Sequence, residues 1–251
     1  GSRAAYSGEL SLPITGVLNG VHPWSIEHPT LYTLTVQLIR PGSAGLPDRV
    51  LDEKTIRFGF RTVQFVAGGL YLNGQRGELR GHQSFAYQGY AMPDSIQRLD
   101  AQILKKDLGC NAVRTSHSPQ SPAFLDACDE LGLLVFTEMP GWRYIGDESW
   151  KAQALQNCRE MVCQCRNHPS IFLWGARVNS SADDEAFYKR TNEAIHRLDP
   201  TRPTAGARNH RKSQLLEDVY AYNDYSYRGR GAACEARAAV TSDPRKGYLI
   251  S

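Results

Sequence analysis

An apolar run, Ile171-Phe-Leu-Trp174, leads to two polar residues, Asn179 and Ser180. In a parallel α/β barrel the C-terminal tips of the strands carry the reactive groups, so this pair is the first candidate for chemistry. Other short apolar runs end in the same way. Arg114, Ser116 and His117 follow Ala112-Val113; Glu138 follows Leu133-Leu-Val-Phe136; Tyr222 and Asn223 close Val219-Tyr-Ala. Ser180 lacks the Gly-x-Ser-x-Gly setting of a hydrolase nucleophile. Nor does a serine hydroxyl supply a proton near neutral pH as a tuned carboxylic acid does. Asp183, Asp184 and Glu185 lie close, but their place is the first turn of the next helix, where they complement its dipole. Trp142 and Trp174 could offer aromatic faces for stacking, although Trp174 lies within the strand and fits the core. Each polar residue also has a plain structural role open to it: loop capping for Asn179, an internal salt bridge for Arg114, packing for His117 and Tyr222.

Positioning such groups requires alternating strands and helices, and the chain beyond residue 67 has them. Weak strand character at Leu79-Arg80 is followed by strands at 112–114, 133–136, 171–174, 203–206, 219–222 and 248–250. Between them, Ile96, Leu99, Ile103 and Leu108 mark one helix that stops at Gly109. Ser121 as N-cap, Pro122 at the first position and Gly132 as stop bound a second. Trp150, Cys158, Met161 and Val162 belong to a third. The fourth runs from Ser181 to Leu198 and ends at Asp199-Pro200. Residues 226–246 read as loop with a weak helix. Alternation of this kind predicts a parallel sheet, and seven strands at this spacing favour an incomplete (β/α)₈ barrel over an open doubly wound sheet. No Gly-x-Gly-x-x-Gly or P-loop follows a strand, which argues against a nucleotide cofactor.

Residues 1–66 differ. Leu31-Tyr-Thr-Leu-Thr-Val-Gln-Leu38 alternates with period two, a turn-rich segment follows at 41–47, and 54–58 and 62–65 read as further strands. Three or four strands without a helix form part of a β-sandwich, which needs about seven. The expected division is therefore 1–66, a partial immunoglobulin-like sandwich, and 67–251, a barrel domain.

The 251 residues carry a net charge of +3, too small to imply nucleic acid or a membrane surface. No apolar run reaches the roughly 20 residues that span a bilayer, and no signal peptide is read at the N-terminus. The six cysteines show no ligand spacing and are read as small buried hydrophobes, in keeping with a reducing, cytoplasmic compartment. No metal site is expected.

Several segments together resemble glycoside hydrolase family 2, the β-galactosidase and β-glucuronidase family. They are Pro23-Trp-Ser-Ile-Glu-His-Pro-Thr-Leu-Tyr32, Phe58-Gly-Phe-Arg61, Leu72-Asn-Gly74, Leu79-Arg-Gly81, Asn111-Ala-Val-Arg-Thr-Ser-His-Ser-Pro119, Cys128-Asp-Glu-Leu-Gly132 and Arg166-Asn-His-Pro-Ser170. The resemblance implies a retaining β-glycosidase, β-galactosidase-like, that cleaves terminal β-linked sugars by double displacement. Such enzymes use two carboxyl groups about 5–5.5 Å apart. It further implies that Asn179 holds the sugar 2-hydroxyl, that Ser180 stands where the acid/base glutamate is expected, and that Arg114 holds the nucleophile. His117, His82, Tyr222 and Asn223 are then sugar-site residues. Lys246-Gly-Tyr-Leu-Ile-Ser251 resembles the strand leading to the nucleophile, which would come next. The chain as written is thus expected to lack turnover. A non-catalytic carbohydrate-binding protein on the same fold is the alternative, and self-association is left open.

Overall fold

The computed structural model describes residues 13–43, 45–85, 92–229 and 234–251. The N-terminal part contributes a two-stranded antiparallel ribbon, β1 (Tyr32–Arg40) and β2 (Arg49–Phe58), with Tyr32 opposite Phe58. The next strand, β3 (Val63–Val66), does not join the ribbon. It forms a small antiparallel sheet with β4 (Gly69–Leu72) and β5 (Gln75–Gly77). Its alternation explains the choice: Val63 and Phe65 are buried while Gln64 and Val66 are exposed, so one face must cover a core.

That core is the interior of a seven-stranded parallel sheet. The strands are β6 (Gly81–Phe85), β7 (Ala112–Ser116), β8 (Leu134–Glu138), β9 (Ile171–Gly175), β10 (Thr204–Arg208), β11 (Val219–Tyr222) and β12 (Gly247–Ile250). They lie side by side in chain order, with β6 and β12 at the two ends. The first of them begins at Gly81 rather than at Leu79-Arg80. Asn111 accounts for the shift: its side chain binds Arg80 N at 2.7 Å and Glu78 O at 2.7 Å, so these residues approach β7 as a loop. Strands β7 to β11 are buried along their whole length, as expected for a sheet covered on both faces. Ala112, Leu134, Phe136, Phe172, Ala205, Ala207, Val219 and Ala221 point inward and meet Val63, Phe65, Leu70 and Leu72, which plug the N-terminal end. The opposite face carries Val113, Val135, Ile171 and Trp174 against the helices.

Helix α1 (Asp94–Gln102) passes into a π-helical turn over Ile103–Asp107, and Gly109 at φ +65° ends it. Its buried residues are Gln97 and Ala101, with Leu104 in the π turn, while Ile96, Leu99, Ile103 and Leu108 are exposed. The apolar stripe thus marks the helix but not its inward face; among the described helices α1 packs against α2 (Pro122–Leu131). In α2 the expected caps are in place: Ser121 Oγ accepts from Phe124 N, and Gly132 is left-handed at φ +69°. A Cβ at Gly132 would lie 2.2 Å from Ile26 O, so this glycine also admits the N-terminal segment. Asp147 caps α3 (Glu148–Cys165) and Asp184 caps α4 (Glu185–Leu198). The latter helix starts later than expected; Asp184 is its N-cap, and Asp183 lies before it. The weak helix of the last segment is α5 (Arg237–Val240).

The N-terminal part is fixed to the base of the barrel. Trp24 is fully buried and donates from Nε1 to Asp129 O at 2.8 Å; Arg61 donates to Pro169 O and Ile171 O. The resembling Trp-Ser-x-Glu and Phe-Gly-Phe-Arg segments are therefore joints between the two parts. Cys128, Cys158 and Cys165 are buried as expected. Cys163 and Cys234 are exposed, because their positions lie on the outer face of α3 and in the loop before α5.

Candidate active site

Seven residues at the C-terminal end of the sheet form one hydrogen-bonded cluster around Arg114. The inward phase of β7 puts this guanidinium inside the barrel, where it is 5% exposed. Nη1 donates to Asn223 Oδ1 at 2.7 Å and to Ser251 Oγ at 3.3 Å; Nη2 donates to Glu138 Oε1 at 2.8 Å and to Asn179 Oδ1 at 2.7 Å. A buried cation requires such partners, since its desolvation is otherwise uncompensated. Glu138 is fully buried and holds a second donor, His117 Nδ1, at 2.9 Å.

The bonds fix which way each amide faces. Asn179 Oδ1 receives both Arg114 and Asn223 Nδ2, so its Nδ2 faces His117 Nε2 at 3.2 Å. His117 then accepts at Nε2 and carries its proton on Nδ1, toward Glu138; this tautomer is assigned from the partners. Asn223 Nδ2 also donates to Ser180 Oγ at 3.0 Å. Ser180 itself has φ +55°, in the left-handed region that costs a non-glycine residue roughly 1 kcal/mol. Backbone bonds hold it there: Ser180 N to Ala207 O at 2.9 Å and Ser181 N to Val178 O at 3.2 Å.

Four of the expected residues, Arg114, His117, Asn179 and Asn223, are therefore brought together with Ser180 at their edge, and Glu138 and Ser251 complete the set. His82 is not bonded to them. It lies exposed on β6, its Nδ1 near Gln83 O, and lines with Arg114, Phe136, Phe172 and Ser251 a cavity of about 510 Å³ between β6 and β12. Tyr222 is excluded by strand phase. On β11, Val219 and Ala221 face inward, so Tyr222 points outward and donates to Glu235 at 3.0 Å. Trp142 sits at the rim, 61% exposed, its backbone bridged to Asn179. Trp174 is core, as expected: fully buried, it donates from Nε1 to Asp199 at 2.9 Å.

Arg177 has a part that its sequence position alone did not reveal. It is 1% exposed, stacks on Tyr188 with 4.4 Å from guanidinium carbon to ring centroid, and donates to Ala182 O and Asp183. Asp183 also accepts from Ser213 Oγ and Gln214 N. Burial acts to raise its pKa, but these bonds and the Arg177 charge prevail and hold it down at about 2. Asp183 is thus a loop anchor rather than a helix-dipole residue. A Cβ on Gly206 would lie 2.4 Å from the Arg177 side chain, which explains glycine in the middle of β10. The available signal was a charged residue within an otherwise apolar run. A possible metal set, Asp126, Asp129 and His168, is engaged internally: Asp129 accepts from His168 and Ser170 N, and Asp126 pairs with Arg57.

Both the sequence and this fold have known relatives. A model of the glycosyl hydrolases family 2 TIM barrel domain matches residues 63–236, and a second family 2 model matches residues 5–61. The chain belongs to glycosyl hydrolase family 2. It is 52% identical over 212 residues to a β-galactosidase of Thermoanaerobacter pseudethanolicus, covering 83% of this chain and 28% of the relative. It is 48% identical to a β-galactosidase of Thermoanaerobacterium thermosulfurigenes, covering 93% and 32%. Among solved structures, an FMN-binding β-glucuronidase from Facaelibacterium prausnitzii superposes with a TM-score of 0.74 at 30% identity, covering 82% of this chain and 33% of that one. The family 2 chain described here thus spans less than a third of these two β-galactosidases. No described helix is long and apolar enough to cross a membrane.

Proposed function

We propose that this chain supplies the sugar pocket and the acid/base strand of a retaining β-glycosidase, β-galactosidase-like, with Ser180 in the place of the acid. The observation that carries the reading is the position of Ser180. It ends the extension of β9 beside Asn179, and its hydroxyl is held by Asn223, which shares Arg114 with Glu138. In this reading Asn179 receives the sugar 2-hydroxyl, and His117, oriented by Glu138, binds a further hydroxyl. His82 borders the sugar from the cavity, and Trp142 stands at the rim beyond it. Arg114 faces the place where a carboxylate nucleophile would arrive from the β12 side, at present marked by its bond to Ser251. Double displacement then needs a proton donor at position 180, which a serine hydroxyl does not provide. The reading keeps 1–66 as part of a sandwich and 67–251 as the barrel domain, with no cofactor and with a carbohydrate as the partner.

The test is Ser180→Glu in the full-length protein, assayed with an aryl β-galactoside. The parent is expected to show no more than background hydrolysis and the variant a gain of about 10²–10⁴-fold. Absence of turnover by a folded variant over a panel of aryl β-glycosides would count against the proposal. One observation favours a second reading, a carbohydrate-binding protein without turnover: the pocket network is complete around Ser180. Saturable sugar binding by calorimetry, lost in His117→Ala, is its signature.

A further inference from the structure

Trp142 is a large aromatic residue at the rim, anchored through its backbone and left open. Its backbone pairs with Asn179 in a parallel bridge, and Arg143 N donates to Asn179 O at 2.8 Å. Residues paired across a parallel bridge send their side chains to the same face. The indole therefore stands on the side on which Asn179 presents its amide to the Arg114 cluster.

The segment has little freedom. Gly141 is at φ +138°, with Val178 only 3.1 Å from where its Cβ would be, and Arg143 is at φ +62°. Tyr144 N donates to Trp142 O at 2.7 Å, and the Tyr144 ring meets Trp150 edge-on at 5.8 Å. The Arg143 guanidinium lies 5.0 Å from the Trp142 ring centroid and covers one face. Yet Trp142 remains 61% exposed. An exposed indole anchored through its backbone beside a buried polar cluster is a stacking surface for a ring with an apolar face.

We infer that Trp142 and Arg143 form the leaving-group subsite, with Trp142 stacking on an aryl or pyranose ring attached through the anomeric oxygen. The inference rests on the reading of position 180 as the acid/base place. The group at that position faces the leaving oxygen, so a platform fixed to the backbone of residue 179 lies where the departing ring must be. Arg143, lying over one face of the indole, adds N–H donors beside the platform for the hydroxyls of a departing sugar. The selected class is thus β-glycosides with a ring as the leaving group, over those with a small alkyl group.

The test uses the full-length protein with Ser180 retained, titrated calorimetrically with phenyl and methyl β-thiogalactosides. The phenyl ligand is expected to bind about tenfold more tightly. Trp142→Ala should bring the two affinities within about twofold of each other by weakening the phenyl ligand alone, and Trp142→Phe should keep most of the preference. A preference unchanged in Trp142→Ala, or an equal loss of both ligands, overturns the inference and leaves the proposed glycosidase site standing. Binding of neither ligand by the parent protein overturns the glycoside reading itself, and the inference with it.

Discussion

Two buried arginines at opposite ends of the barrel do different work. Arg202, at the base, sends its donors to the main chain: Nε to Ile171 O at 2.7 Å, and Nη2 to Arg166 O at 2.9 Å and His168 O at 2.8 Å. Its remaining partner is Asp199, which also receives Trp174 Nε1 and caps Thr201 N. Arg114, at the mouth, bonds to side chains at each of its four contacts. Both are 6% exposed or less. The base arginine splices the end of α3 to the start of β9 by donating to backbone carbonyls there, sharing Ile171 O with Arg61. The mouth arginine fixes no backbone; it orients two amides, one carboxylate and one hydroxyl, which bond in turn to His117, Ser180 and one another. Equal burial therefore does not mean equal purpose, and the identity of the acceptors separates the two.

The most severe way to test this contrast is Arg202→Ala. Asp199 is left buried without its cation and three carbonyls lose donors, so urea denaturation should show a loss of about 3–5 kcal/mol. Sugar affinity, measured where the variant is still folded, should not change. A comparable loss of affinity would break the contrast. Next is Asp199→Asn. Burial acts to raise the Asp199 pKa, but the Arg202 charge and the bonds from Thr201, Arg202 and Trp174 bring it down to about 2. A depressed carboxyl stabilises the fold fully above its unfolded value near 3.8 and loses that contribution as the pH falls toward 2. The parent should lose about 2 kcal/mol over that window, and the Asp199→Asn variant should show a flatter acid limb.

At the mouth, Asn223→Ala removes bonds to Arg114, Asn179 and Ser180. The expected stability cost is about 1–2 kcal/mol, while sugar binding should fall by at least about tenfold. The reverse pattern, a large stability cost with intact binding, would assign this cluster to the fold. The smallest effect belongs to His196 and Asp218, paired at 2.8 Å near the start of β11. The Asp218 hydrogen bond raises the His196 pKa. Asp218 is lowered: burial opposes this, but the bonds from His196 and Thr204 N prevail. The histidine contribution is complete below its unfolded value of 6.5 and fades as the pH rises through the raised one; the aspartate contribution is complete above 3.8 and fades below it. Both groups are partly exposed, so His196→Gln should remove less than about 1 kcal/mol near pH 5–6 and almost nothing at pH 9.

What sequence reading captured and missed follows from the range of the interactions. Ser121, Pro122 and Gly132 bound α2 by local rules, and they hold as read. The apolar runs mark the strands because both faces of the sheet are covered. Tyr222 failed because one residue of phase decides which face a side chain takes, and two adjacent polar tips give no phase. Arg177 was illegible because Asp183, Tyr188 and Ser213 come from separate segments that meet only in the fold. The stripe of α1 identified a helix, but its burial depends on neighbours that a periodic pattern does not name.

The left-handed backbone of Ser180 places two selective demands on one codon. For persistence of the fold alone, glycine or asparagine is the fitter occupant, because either takes that conformation at lower cost. For the double displacement proposed above, a carboxylic acid is required there. On the proposed role, position 180 is thus a site where selection for robustness alone leads away from catalysis while the surrounding pocket stays intact.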